Sequence, residues 1–495
     1  MKVLLIRPPV PKFTIGLKHI MICEPLELEY VAAGLKDHEV KIVDLILEKN
    51  LHKIFKYFDP DVIGTSSYIT GVNEVIKICR MVKTWKPNCL TVVGGVQASL
   101  VPESFADPSV DIIVLGDGTT KMKEIVDNLS EKLPFQNISG LAIVIGKNKI
   151  QLTAKSNYMV DPDKLPFPRR DLLSHLHHKY YYLFHQPVTL MKTTWGCWYK
   201  CNFCFNWKVT DGIPYTRSPE SIVSEIETIP TKDVYIVDDI FLINRKRLIQ
   251  IANLIKNKNI KKKYLVYSRA DFICENEDVI KIWSEIGLSA VIVGLEATTD
   301  PELEEMNKQC TVDYNRKAIQ ILKLNCIDTY ASLIPLPSYT KKDWDRLLDF
   351  IFETGLYYIN ISPLTPMPGT DIWDQYKDKV IVSTKAYSLW DLSHTVLKTE
   401  LSLKEFYKNL LRVYSRTILN IRRASKLSLR TRPPVLSLTY LRLILGAFRI
   451  AFQFIACHRH HLAKNMAKAE YEGPEINKSN MLRFISANTN AEPVK

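Results

Sequence analysis

The chain has 495 residues, 46% hydrophobic and 24% charged, with ten cysteines and a formal net charge of +13. That length accommodates two or three cores, and the composition excludes low-complexity, collagen-like and disulfide-scaffold proteins. The charge is localised: residues 401–495 hold 17 Lys and Arg against 5 Asp and Glu, leaving 49 against 48 for residues 1–400. A tail so basic calls for an acidic partner, either a membrane surface or a nucleic acid.

The opening MKVLLIRPPVPK reads as a first buried strand, because prolines break its apolar run too early for a signal peptide. The thiols are therefore expected to be reduced, in a cytoplasmic setting. Residues 1–150 alternate near-continuous apolar strands (KVLLIRP, VKIVDL, DVIGTSS, LTVVGG, DIIVLGD) with helical patterns such as EVIKICRMVKTW. Strands of that kind predict an α/β fold with a doubly wound parallel sheet. Small residues gather at the strand ends: Thr65, Ser66 and Ser67, then Gly94, Gly95 and Val96, then Gly116, Asp117 and Gly118. Ligands bind at such ends, where the backbone can be approached closely.

Residues 151–187 are proline-rich and read as a linker. HLHHKYYYLFHQP, with His175, His177, His178 and His185, lacks ligand spacing and reads as a polar-aromatic loop. Six further strand–helix units occupy residues 188–385, from VTLMKTTW to YINISPLTP, and predict a partial (β/α)6 barrel. Asp238 and Asp239, Ser268 and Arg269, and Glu296 stand at C-terminal strand ends, where barrel active sites are built.

At the end of the first barrel strand, TTWGCWYKCNFCFNW spaces Cys197, Cys201 and Cys204 as C-x3-C-x2-C. Disulfides use cysteines in pairs, and no fourth ligand lies at zinc-finger distance, the next cysteine being Cys274. Three thiolates on a cubane of four irons leave one iron open to a small molecule. Zinc and a reactive thiol set are the competing readings, and the spacing favours the cluster.

With the aromatic Phe203 before its last cysteine, this motif resembles that of the radical S-adenosylmethionine (SAM) enzymes. The resemblance implies a 4Fe-4S cluster on Cys197, Cys201 and Cys204, with Phe203, Asp238, Asp239, Arg269 and Glu296 near SAM. It also implies an electron donor of flavodoxin or ferredoxin type. GTSS, VVGGVQAS and LGDGT resemble a cobalamin-binding, flavodoxin-like domain, which places Thr65 to Ser67, Gly94 to Val96 and Gly116 to Gly118 at cobalamin. The motif D-x-H-x-x-G is absent, so no histidine is offered to the lower face of cobalt. VYIVDDIFLI, GLEATTDPELEEMNKQCT, TPMPGTDIW and YSLWDLSHTV resemble segments of the hopanoid C-3 methyltransferases, across most of residues 1–420. That resemblance implies methylation of an unactivated carbon of a polycyclic lipid through a 5′-deoxyadenosyl radical and methylcobalamin. It further implies that the strand ends of the two domains face each other. The alternatives are a radical cyclase or oxidase acting on a tetrapyrrole or other natural product, and a nucleic-acid-modifying enzyme.

Residues 386–495 form the basic helical region. SLTYLRLILGAFRIAFQFIAC (437–457) is long enough to span a bilayer, but Arg442 and Arg449 would be costly at depth. A helix lying in the interface, peripheral on the inner face of the cell membrane, is favoured over one packed on the barrel. Its apolar density also disfavours nucleic acid. His458, His460 and His461 beside Cys457 read as a basic flanking patch rather than a metal site.

Overall fold

The structure is a computed structural model that describes residues 1–15, 17–156, 161–418 and 438–470. In the N-terminal sheet β1 (Lys2–Arg7), β3 (Glu39–Asp44), β4 (Val62–Ser66), β5 (Leu90–Gly94) and β6 (Ile112–Val114) are parallel, in the order β3-β1-β4-β5-β6. Alternate side chains of β1 enter two different cores, Leu4 and Ile6 on one face and Val3 and Leu5 on the other. That two-sided burial is why the strand reads as an unbroken apolar run.

An antiparallel hairpin, β7 (Leu141–Gly146) and β8 (Lys149–Leu152), extends the edge beyond β6. This departs from the wholly parallel sheet expected. Both strands are partly exposed, so they lack the continuous apolar signature of their neighbours.

The second sheet has the six parallel strands anticipated, side by side in chain order: β10 (Val188–Met191), β13 (Asp233–Ile236), β14 (Lys263–Arg269), β15 (Leu288–Glu296), β16 (Asp328–Leu333) and β17 (Tyr358–Ile361). Its outer helices carry strong start signals. Ser218 caps the helix Pro219–Thr228, and Thr340 with Asp343 forms a capping box on the helix Lys341–Thr354. Two short pairs complete the order: β2 (Met21–Ile22) lies against β9 (Tyr181–Tyr182), and β11 (Thr194–Trp195) against β12 (Tyr215–Thr216).

The segment expected to be a linker is a wedge. Residues Arg170–Lys179 form 3-10 turns that bury Arg170, Leu173 and Leu176. The Arg170 guanidinium reaches Glu225 of the barrel at 2.6 Å and Glu24 of the N-terminal domain at 3.5 Å. Glu24 in turn accepts the Leu190 N–H of β10 at 2.7 Å. Proline content hides this role, because the pairing depends on side chains far apart in sequence.

Burial raises the Glu24 carboxyl to about 7, against the pull of Arg170. Unfolded, the same group ionises near ~4.3. The folded chain therefore keeps a proton that the unfolded chain releases, and stability falls as pH rises from ~4.3 to about 7, then levels. Glu24→Gln, which keeps an acceptor for Leu190, is expected to remove that slope. Thermal unfolding across the same pH range would read the difference, on the order of 3 kcal/mol by pH 8.

Candidate active site

The hairpin β11–β12 holds open the loop that carries the three cysteines. It starts at Gly196, whose φ is +85°. A Cβ there would strike the Thr210 hydroxyl and lie 2.7 Å from the Ile213 carbonyl. The Gly196 N–H donates to Asp239 Oδ2 at 2.6 Å, and Lys192 Nζ stands 3.6 Å from the same oxygen. The far side of the loop is fixed by the turn after β15: Asn202 donates to the Met306 and Glu305 carbonyls, and Asn307 Nδ2 donates to the Lys200 carbonyl at 2.7 Å.

Burial pushes the thiols up, Cys197 to about 11 and Cys204 to about 12, so a bound metal must displace their protons. A single tetrahedral zinc needs its thiolates within about 4 Å of one another. Among the described residues, the groups whose donor atoms converge within 4.8 Å do not include these three cysteines. A spread-out set fits separate corners of a cube better than one ion.

Arg269, at the end of β14, donates to Cys201 Sγ at 3.7 Å. Its guanidinium lies 3.8 Å from the Tyr199 ring centre and is held by Asp271 at 2.8 Å and the Lys308 carbonyl at 2.6 Å. Glu296 ends β15 at φ +60° and pairs with Lys308 at 2.7 Å, both buried. Burial works against the Lys308 charge, but Glu296 and Cys201 outweigh it and its pKa rises. Gly294 leaves room for this pair, since a Cβ would come within 2.8 Å of Lys308 Nζ.

The acidic pair on β13 divides. Asp238 is buried and commits both oxygens to Thr193, accepting its N–H at 2.6 Å and its hydroxyl at 2.5 Å. It braces β10, and only Asp239 faces the cysteine loop. Phe203 is half-buried against the main core. Spacing gives no sign of Lys308, because its partner is twelve residues away on a strand end. Gly196, immediately before the first cysteine, is the legible one.

On the N-terminal sheet, Thr65 and Ser66 end β4 and Gly94 ends β5. Gly95 has φ +97°, and a Cβ would sit 2.5 Å from the Ser66 hydroxyl. The Thr65 and Ser67 hydroxyls are buried with no hydrogen-bond partner among the described residues. Orphaned donors beside a strained glycine cradle suit a bound polar group. Gly116 donates its N–H to the Ser99 hydroxyl at 3.0 Å. Asp117, expected at the same ligand, instead caps the helix Gly118–Glu131 by accepting the Thr119 and Thr120 N–H groups.

The short helix Val96–Leu100 packs against Asn206–Val209, which directly follows Cys204. Tyr68 keeps 62% of its surface open, yet Glu27, Asp239 and Tyr267 join burial among surrounding protein atoms in raising its pKa. Its ring is surrounded without being covered. Tyr68 follows β4, while Asp239 follows β13 and Tyr267 lies on β14, so the end of β4 comes within electrostatic reach of the barrel strands that carry the cysteine-loop contacts.

A radical SAM superfamily model matches residues 191–351, and a B12 binding domain model matches residues 15–126. The chain is 28% identical over 422 residues to the hopanoid C-3 methylase of Methylococcus capsulatus, covering 83% of this chain and 79% of that one. It is 25% identical over 334 residues to the anaerobic magnesium-protoporphyrin IX monomethyl ester cyclase of Rubrivivax gelatinosus, covering 65% of this chain and 60% of that one. Among solved structures, the fold is similar to the cobalamin-dependent SAM radical enzyme OxsB with aqua-cobalamin bound. That match has a TM-score of 0.69 and 14% identity, over 98% of this chain and 78% of that one. It is also similar to the methyltransferase TsrM from Kitasatospora setae, with a TM-score of 0.61 and 16% identity, over 76% of this chain and 78% of that one. With both domain models matched in order along it, the chain is a cobalamin-dependent radical SAM enzyme of the methyltransferase class.

Proposed function

We propose that the enzyme methylates an unactivated carbon of a polycyclic lipid, of hopanoid C-3 type, while resting on the cytoplasmic face of the membrane. When bound, the 4Fe-4S cluster, SAM and cobalamin supply the electron, the hydrogen-abstracting species and the methyl carrier. Cys197, Cys201 and Cys204 would hold the cluster. Asp239, Arg269 and the Glu296–Lys308 pair surround its open side, where SAM would lie. Thr65 to Ser67 and Gly94 to Val96 would hold cobalamin, with Gly116 to Gly118 shaping the adjoining strand end. The electron would come from a flavodoxin- or ferredoxin-type donor.

The observation that carries the lipid class is the C-terminal helix Leu438–Cys457. Leu441, Ile444, Leu445, Phe448, Phe452 and Ile455 form one exposed stripe, with Phe448 at 62% and Phe452 at 70%. Arg442 turns inward instead, stacking 3.5 Å from the Tyr181 ring centre and donating to the Leu183 carbonyl at 2.8 Å. Arg442 therefore meets protein while this apolar stripe faces out, and Arg449 stays exposed beside it where a headgroup could be reached, an arrangement suited to an interfacial helix. Beside it a cavity of about 290 Å³, lined by His19, Arg442 and Arg449 among others, suits an anionic headgroup. The flanking basic run at residues 422–432 lies outside the described residues.

Two experiments test this reading. The full chain, reconstituted anaerobically with iron, sulfide and cobalamin, is incubated with SAM, a reductant and a triterpenoid in anionic vesicles. A lipid product heavier by one methyl, formed with 5′-deoxyadenosine, is expected; 5′-deoxyadenosine with the lipid unchanged would move the substrate elsewhere, and a tetrapyrrole is the next to try. Phe448→Asp with Phe452→Asp is expected to weaken co-sedimentation with anionic vesicles by at least ~10-fold, since each phenylalanine contributes about 1.5–3 kcal/mol when buried. Unchanged sedimentation would remove the membrane contact.

A further inference from the structure

The histidines after the C-terminal helix do not all form the basic rim expected from sequence. His458 is half-buried and bonds the Ile455 carbonyl of its own turn, but His460 and His461 turn inward beneath the helix to meet His394 and Tyr407. His394 is fully buried, and its Nε2 lies 2.8 Å from His460 Nδ1. Cys457, also fully buried, brings its Sγ to the same point: the three donor atoms lie within 4.8 Å of one another. Asp391 holds His394 from behind, with Nδ1 at 3.0 Å and 3.1 Å from its two oxygens. That contact keeps a proton on Nδ1 and turns Nε2 toward His460 and Cys457, the carboxylate–histidine arrangement found behind metal-bound imidazoles.

We propose that His394, Cys457 and His460 bind a zinc-class divalent ion that clamps the C-terminal helix to the catalytic core. Two imidazoles and a thiolate are the donors such an ion prefers, and widening the 2.8 Å between the two nitrogens by about 0.5 Å would admit it at ~2.0–2.1 Å from each. The Cys457 thiol proton leaves to solvent on binding. His461, whose Nδ1 is buried without a partner among the described residues, is the remaining donor on the same turn. The clamp reaches further through Asp391, which also accepts the Ile15 N–H at 2.7 Å. Helix, barrel and N-terminal domain would then meet at one ion.

Metal analysis of the untagged full-length holoenzyme, equilibrated with zinc, tests this. About one zinc per chain is expected beside the iron, with a mixed nitrogen and sulfur shell by X-ray absorption at the zinc edge. Cys457→Ser and His460→Gln are expected to lose that zinc while iron and cobalamin contents stay unchanged, which also reports that the chain is folded. Cys457→His is expected to keep zinc with an all-nitrogen shell. Removing zinc by dialysis against a chelator is expected to speed proteolytic cleavage within residues 438–470. No zinc in the wild type, an all-sulfur shell (zinc in the cluster loop), or full zinc content in Cys457→Ser would each overturn the proposal.

Discussion

Cys201→Ala is expected to leave the protein without a cluster and without 5′-deoxyadenosine formation, while cobalamin binding to the N-terminal domain persists. Cys201 is the buried member of the trio and the one that Arg269 reaches, at 3.7 Å. Its loss removes one of the three proposed ligands, so iron affinity should fall by more than the ~10–100-fold that outer-shell changes cost. Arg269→Met supplies the comparison. It removes the contact to sulfur and the stack on Tyr199 but no ligand, and it is expected to stay within that ~10–100-fold range. Iron content, the visible spectrum of bound cobalamin and 5′-deoxyadenosine release separate the two variants. Full cluster content in Cys201→Ala would show that the ligand assignment is wrong.

Gly196→Ala is expected to be almost as damaging, although it touches no ligand. At φ +85° an alanine carries about 1–2 kcal/mol of backbone strain. Its Cβ also collides with the Thr210 hydroxyl and crowds the Ile213 carbonyl, and overpacking of that kind costs roughly 1–3 kcal/mol. Relief requires the loop to shift, which breaks the hydrogen bond from the residue 196 N–H to Asp239 and moves Cys197 with it. Iron content should fall sharply while the melting temperature changes little, because the loop lies outside the barrel core. Wild-type iron content in Gly196→Ala would show that the loop tolerates the shift.

What could be read in the sequence follows what is local. The buried parallel strands declare themselves because both faces are covered, as on β1 and β15. The hairpin β7–β8 escapes because it sits at an edge, partly in water. The cysteine loop is legible since its three cysteines, the proposed cluster ligands, fall within eight residues. Lys308, the brace role of Asp238 and the capping role of Asp117 are not, because each depends on what the side chain meets after folding. The inward turn of His460 is hidden for the same reason, as it depends on where the helix docks. The exposed stripe on that helix could be read as apolar, but which side faced water could not.

The buried wedge at Arg170 has a bearing on how substrate arrives. Its guanidinium stands between Glu24 of one domain and Glu225 of the other, all three removed from solvent. Swinging the domains apart would break the buried contacts that Arg170 makes to both sides and lose the Leu190 N–H bond to Glu24. Clamshell opening at this seam is therefore disfavoured. A substrate of the proposed class would then have to fit between domains already held at their spacing, so selection by thickness would come before any chemistry begins.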